Sequence, residues 1–125
     1  MSVQVRITTG ELAPYSHNEY VSGCGAKFVF DGVVRPSEDG VAIEGLEYEA
    51  YRPMAEQQLE DIGRQVLEKH GLIAIDIEHS VGWVPNFACS FRLVIDSKHR
   101  KEGLSAMDEF IDCLKQDVPI WKQAK

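Results

Sequence analysis

From residue 73 to residue 96 the chain alternates apolar and polar side chains in two successive runs. Ile73, Ile75, Ile77, His79 and Val81 share one parity. Phe87, Cys89, Phe91, Leu93 and Ile95 repeat the pattern after a break around Trp83, Pro85 and Asn86. A period of two held this long is the mark of a strand with one face on a core. Two such strands joined by a short Pro-Asn connection make an antiparallel hairpin. Whatever else the chain does, it must build a sheet and supply something apolar to cover it.

The rest of the sequence provides both. Residues 3–8, 26–34 (AKFVFDGVV) and 42–51 read as further strands. In the last of these Leu46, Tyr48 and Ala50 fall on one face, with Glu47 and Glu49 on the other. ELAPYSHNEYVSGCG reads as a loop with room for one short helical turn, and RPSEDG as a polar loop. Pro53 suits the first turn of a helix, Leu59, Ile62 and Val66 have helical spacing, and Gly71 is its stop. Leu104, Met107, Phe110, Ile111 and Leu114 mark a second amphipathic helix, which Pro119 prevents from running past Val118. The order β-β-β-α-β-β-α predicts an α+β fold, a largely antiparallel sheet covered by two main helices. At 125 residues, with no repeat or linker, a single domain over 1–125 is expected.

Charge narrows the function. Twenty acidic residues against 13 basic give a net charge of −7, which argues against a nucleic-acid binder that relies on a broad basic surface. A small basic pocket remains compatible with it, because local charge decides what a cleft attracts. No apolar run approaches the ~20 residues that span a bilayer, and the first residues lack a secretory layout, so a cytoplasmic protein is expected. Cys24, Cys89 and Cys113 lack paired spacing and should stay reduced, Cys89 on the inward face of its strand. No histidine pair has metal-ligand spacing, and Gly23, Gly25 and Gly32 form no phosphate-cradling fingerprint, so neither a metal nor a cofactor is expected. His79 is read as a core histidine, and His17 and His70 as surface residues.

The candidates for chemistry are cations at the ends of elements, where a rigid scaffold tends to place binding groups. Arg35 follows a strand, His99 and Arg100 lie in the loop SKHRKEG, Lys115 ends the last helix, and Lys122 lies past Pro119. Together they could hold an anion, and a lysine among cations becomes a usable proton-transfer group. Each also has a plain reading: Lys115 complements a helix dipole, His99-Arg100-Lys101 makes a solvated turn, and Trp121 packs the last segment onto the domain.

Five stretches, in this order and at these separations, shift the balance. GAKFVFDGVVR at 25–35, LEYEAYRPMA at 46–55, His79-x-x-Gly82, SKHR at 97–100 and DCLKQDVPIWK at 112–122 resemble the large, catalytic subunit of molybdopterin synthase. Val33 and Ser80 stand where that family commonly carries lysine and arginine. The resemblance implies an α/β-hammerhead-like fold and a homodimer at the core of a heterotetramer. Each copy would bind a small ubiquitin-like sulfur-carrier protein ending in Gly-Gly. Its C-terminal thiocarboxylate would deliver sulfur to cyclic pyranopterin monophosphate to make the molybdopterin dithiolene, with no metal in the step. Lys115 and Lys122 then match the catalytic lysines, and Arg35, His99 and Arg100 match substrate-binding positions. The alternative expectation is a binding module that holds the carrier tail or a pterin phosphate without transferring sulfur.

Overall fold

The structure, a computed structural model, describes residues 2–17 and 19–125. Its elements run β1 (Ser2–Thr9), β2 (Ala26–Val33), β3 (Ser37–Glu38), β4 (Val41–Ala42), β5 (Gly45–Ala50), α1 (Met54–His70), β6 (Ala74–Pro85), β7 (Cys89–Ser97), α2 (Arg100–Asp117) and β8 (Ile120–Ala124). The two alternating runs are the centre of the sheet. β6 and β7 pair antiparallel from Ala74↔Asp96 to His79↔Phe91. The strand order is β2-β7-β6-β5-β8, with β1 lying parallel to β6 and every other pairing antiparallel.

β6 changes neighbours along its length. Ala74 to Val81 pair with β1, and Gly82 to Pro85 pair with β5. The switch falls at Gly82, whose φ of 81° is a conformation that side chains rarely adopt. One strand therefore belongs to two sheets. The first half, with β1, β2 and β7, packs under α1 and α2. Leu59, Val66, Ile75, Ile77, Leu93, Ile95 and Phe110 are sealed there, each burial worth roughly 1.5–3 kcal/mol. The second half, with β5, closes a smaller core of Val34, Leu46, Val84 and Ala88.

α1 occupies the expected span, from Pro53 at its N-cap to Gly71 at φ 63°. The opposite face of the first sheet carries Asp76, Glu78 and Arg92, and the 11–25 segment begins against it: Leu12 is buried, and Arg92 donates to the Ala13 carbonyl at 2.6 Å. That segment holds no helical turn among its described residues; Asn18 lies outside them.

Other expectations are corrected. The polar loop RPSEDG folds back as half of the β3–β4 hairpin, so the expected strand over 42–51 is broken at Ile43 and Glu44. Phe87 is not a strand residue: its amide bonds to the Val34 carbonyl at 2.7 Å, its φ is 71°, and it is 76% exposed. Cys89 is only half-buried, near the bulge at Gly32/Val33. Leu104 faces solvent at 52% exposure, whereas Gly103, Ala106 and Phe110 form the inward stripe of α2. His70 is half-buried against Glu109, at 3.3 Å. The last segment is the strand β8, paired along β5 from Ala50↔Ile120 to Leu46↔Ala124.

Candidate active site

Where the two sheets and the end of α2 meet, a cleft of about 580 Å³ opens. Its walls follow from local structure. Lys115 lies in the last turn of α2, where a cation suits the negative helix end. Arg35 leaves β2 after Val34, which is anchored by its amide bond to Ala88. Lys122 sits directly opposite Tyr48 in the β5–β8 ladder, and cross-strand partners share a face. All three cations line the cleft.

The floor is aromatic and hydroxylic. His79, 7% exposed, lies edge-on to Tyr48 with ring centroids 5.2 Å apart, and 5.7 Å from Phe91. The Tyr48 and Ser90 hydroxyls are 3.0 Å apart. The Nδ1 of His79 donates to the Ser80 carbonyl at 2.8 Å, which leaves Nε2 an acceptor. Burial pushes the imidazole below its ordinary value of 6.5, a shift the Ser80 hydrogen bond only partly opposes, so the ring is neutral near pH 7. In the unfolded chain that histidine takes a proton below pH 6.5, while the folded one resists until lower pH. Its contribution to stability is therefore present above 6.5 and is lost as pH falls through the depressed value. Melting temperatures between pH 7 and about 5 should fall less steeply in His79→Gln than in the parent chain; parallel curves would remove His79 from the acid response.

Two carboxylates share the cleft with the three cations. Asp31 is committed to Arg92 at 2.6 Å, and Glu38 meets Lys122 at 3.2 Å. Arg35 and Lys115 form no ion pair among the described residues. A protein of charge −7 thus concentrates uncompensated positive charge over a largely buried floor. Such a place attracts anions and stabilises an oxyanion that develops during acyl chemistry. No cysteine lines the cleft. The Cys89 thiol is pushed up by burial and by the Asp31 carboxylate, which makes it a poor nucleophile. A sulfur atom reacting here must be brought in.

His99 and Arg100 lie elsewhere. His99 caps the other end of α2, pointing its Nδ1 at Glu102 at 3.4 Å, and Arg100 begins the helix rather than a loop. At 1.5 Å per residue, Arg100 and Lys115 are roughly 22 Å apart along the axis. The structure brings Arg35, Lys115 and Lys122 together and leaves His99 and Arg100 outside that group. Trp121 borders the cleft but is 59% exposed, not packed as expected. Sequence reasoning passed over Glu38, Ser90 and the floor position of His79. Tyr48, His79 and Phe91 had left a trace, through their parity in the strands.

The family model described as MoaE protein matches residues 7–117. The chain belongs to the MoaE family. Among its MoaE-family relatives, the molybdopterin synthase catalytic subunit of Staphylococcus carnosus is 35% identical over 122 residues, 96% of this chain and 81% of that protein. The Staphylococcus aureus protein of the same name is 38% identical over 117 residues, covering 94% and 77% of the two chains. Of solved structures, molybdopterin synthase from Staphylococcus aureus superposes with a TM-score of 0.84 at 34% identity, covering 95% of this chain and 88% of that one. A complex of subunits 1 and 2 of molybdopterin-converting factor from Helicobacter pylori gives 0.76 at 27% identity, covering 96% and 83%. The MoaE fold is therefore the two-sheet, two-helix arrangement described above. No helix among its described residues is long and apolar enough to cross a membrane.

Proposed function

We propose that this MoaE-family chain is the catalytic subunit of a molybdopterin synthase. It transfers sulfur from the C-terminal thiocarboxylate of a small ubiquitin-like carrier to cyclic pyranopterin monophosphate, and two transfers complete the dithiolene. The observation that carries the reading is the convergence of Arg35, Lys115 and Lys122 on one cleft that offers no thiol of its own. The carrier's Gly-Gly tail is slender enough for such a cleft, and its thiocarboxylate supplies the missing sulfur. Arg35 suits the substrate phosphate, since a guanidinium fork matches its oxygens. Lys115 and Lys122 serve the carbonyl and the proton transfers as sulfur attacks. Cytoplasmic residence belongs to the same proposal.

His99 and Arg100 enter this reading through a second copy of the chain. β2 is an edge strand with Val29, Phe30 and Val33 exposed, and Leu104 is exposed on α2, which packs against β2. An apolar surface of that kind suits a homodimer interface beside the start of α2, and a two-fold contact there can carry His99 and Arg100 toward the partner's cleft. The carrier subunits complete a heterotetramer.

The test is direct. Purified protein mixed with thiocarboxylated carrier and cyclic pyranopterin monophosphate should form molybdopterin. Carrier binding with no product at any pH from about 6 to 9, the range in which lysine-assisted proton transfer operates, would leave a binding module in place of an enzyme.

A further inference from the structure

Of the three cleft cations only Lys122 has an internal counter-ion among the described residues. Its Nζ lies 3.2 Å from Glu38 Oε1. Glu38 comes from the β3–β4 hairpin, whose two short strands pair only with each other. The hairpin turns through Asp39 at φ 52° and Gly40 at φ 79°. Lys122, by contrast, is fixed in the β5–β8 ladder opposite Tyr48. A held cation is thus faced by a carboxylate on a lightly attached arm.

The pair is open to water, with side-chain exposures of 53% for Lys122 and 25% for Glu38. Solvated ion pairs of this sort are weak and exchange readily for another anion of similar shape. A carboxylate, a thiocarboxylate and a phosphate all present oxygen or sulfur atoms that an ammonium can hold in the same way.

We propose that Glu38 is a resident counter-anion. Its carboxylate occupies the place on Lys122 that an anionic group of the reactants takes in turn, either the carrier's terminal group or the substrate's phosphate. The hairpin swings off when that group arrives. Glu38 therefore sets how tightly reactants are held, not how fast they react. The inference rests on the functional reading only in naming those reactants; the exchange itself is a binding event.

Titration calorimetry on the full chain tests it with two probes: carrier ending in its normal carboxylate, and inorganic phosphate. Carrier lacking its last two glycines is the control for the tail. Glu38→Gln should tighten one or both probes by about 3- to 10-fold at low ionic strength, with the gain shrinking as salt is added. Tightening of intact but not truncated carrier places the tail on Lys122; tightening of phosphate places the substrate there. Asp39→Asn removes the same charge from the same hairpin, and asparagine tolerates its left-handed φ, so it should change either affinity less than about twofold. In steady-state assays Glu38→Gln should lower KM and leave kcat within about twofold. Equal tightening in Asp39→Asn, no tightening in Glu38→Gln, or a fall in kcat at unchanged KM would each overturn the proposal. Lys122→Ala separates the two layers. Full turnover in that variant refutes the catalytic reading of Lys122, whereas lost turnover beside an inert Glu38→Gln refutes the counter-anion alone.

Discussion

Lys115→Ala will slow single-turnover sulfur transfer by roughly 10²- to 10⁴-fold, the range expected when a positioned proton-transfer or oxyanion-stabilising group is removed. The chain will stay folded. Lys115 is exposed at the end of α2 and forms no ion pair among the described residues. Alanine is also the most favourable residue in a helix, so little structure is at risk. Far-ultraviolet circular dichroism and the melting temperature should match the parent, while rapid-quench measurement of molybdopterin shows the loss. Wild-type rates in the variant would take Lys115 out of the mechanism. Arg35→Ala serves as an internal comparison, because loss of a phosphate contact should appear first in KM.

A larger contrast comes from mixing two dead chains. Arg100→Ala and Lys115→Ala should each be inactive as pure proteins. If the cleft of one chain works with Arg100 of its partner, a mixed dimer holds one doubly damaged site and one intact site. Random pairing then restores about one quarter of wild-type activity, since half the dimers are mixed and each has one working site of two. If Arg100 serves its own chain, mixing restores nothing. The length of α2 separates Arg100 from Lys115 by roughly 22 Å, far beyond the reach of either side chain, so an Arg100 that serves a cleft serves its partner's.

That distance was already readable in the sequence. The helical spacing of Leu104, Met107, Phe110, Ile111 and Leu114 puts a rigid rod between His99-Arg100 and Lys115. Grouping the five cations as one anion site within a single chain overlooked it. The paired part of the central hairpin and α1 were legible because each keeps one period over that stretch, and α1 ends on Gly71, a residue with a mechanical reason to end it. β8 was not. An edge strand with Lys122 and Gln123 in the middle has no apolar alternation, and its only guide is the backbone of β5. Phe87 was misread because alternation says nothing of a turn that forces one residue to positive φ. Pairing of distant segments, such as β1 lying parallel to β6, is decided by tertiary contact and leaves no local trace. The floor histidine illustrates the same limit. Its burial was foreseen, but the cleft above it needed β5, β7 and β8 to be assembled.

Because β6 serves both sheets, it is the least editable part of the molecule. Adding or deleting one residue between Ala74 and His79 would turn His79 to the wrong face and shift Val84 against Leu46 in the same stroke, since a one-residue slip inverts every side chain beyond it. The β3–β4 hairpin has no such duty. It pairs only with itself and touches the cleft through a single carboxylate, so it can lengthen, shorten or change sign without disturbing a core. A lineage that needed to accept a new carrier would have this hairpin as its freest ground for trial, and an engineer wishing to retarget the protein should begin there.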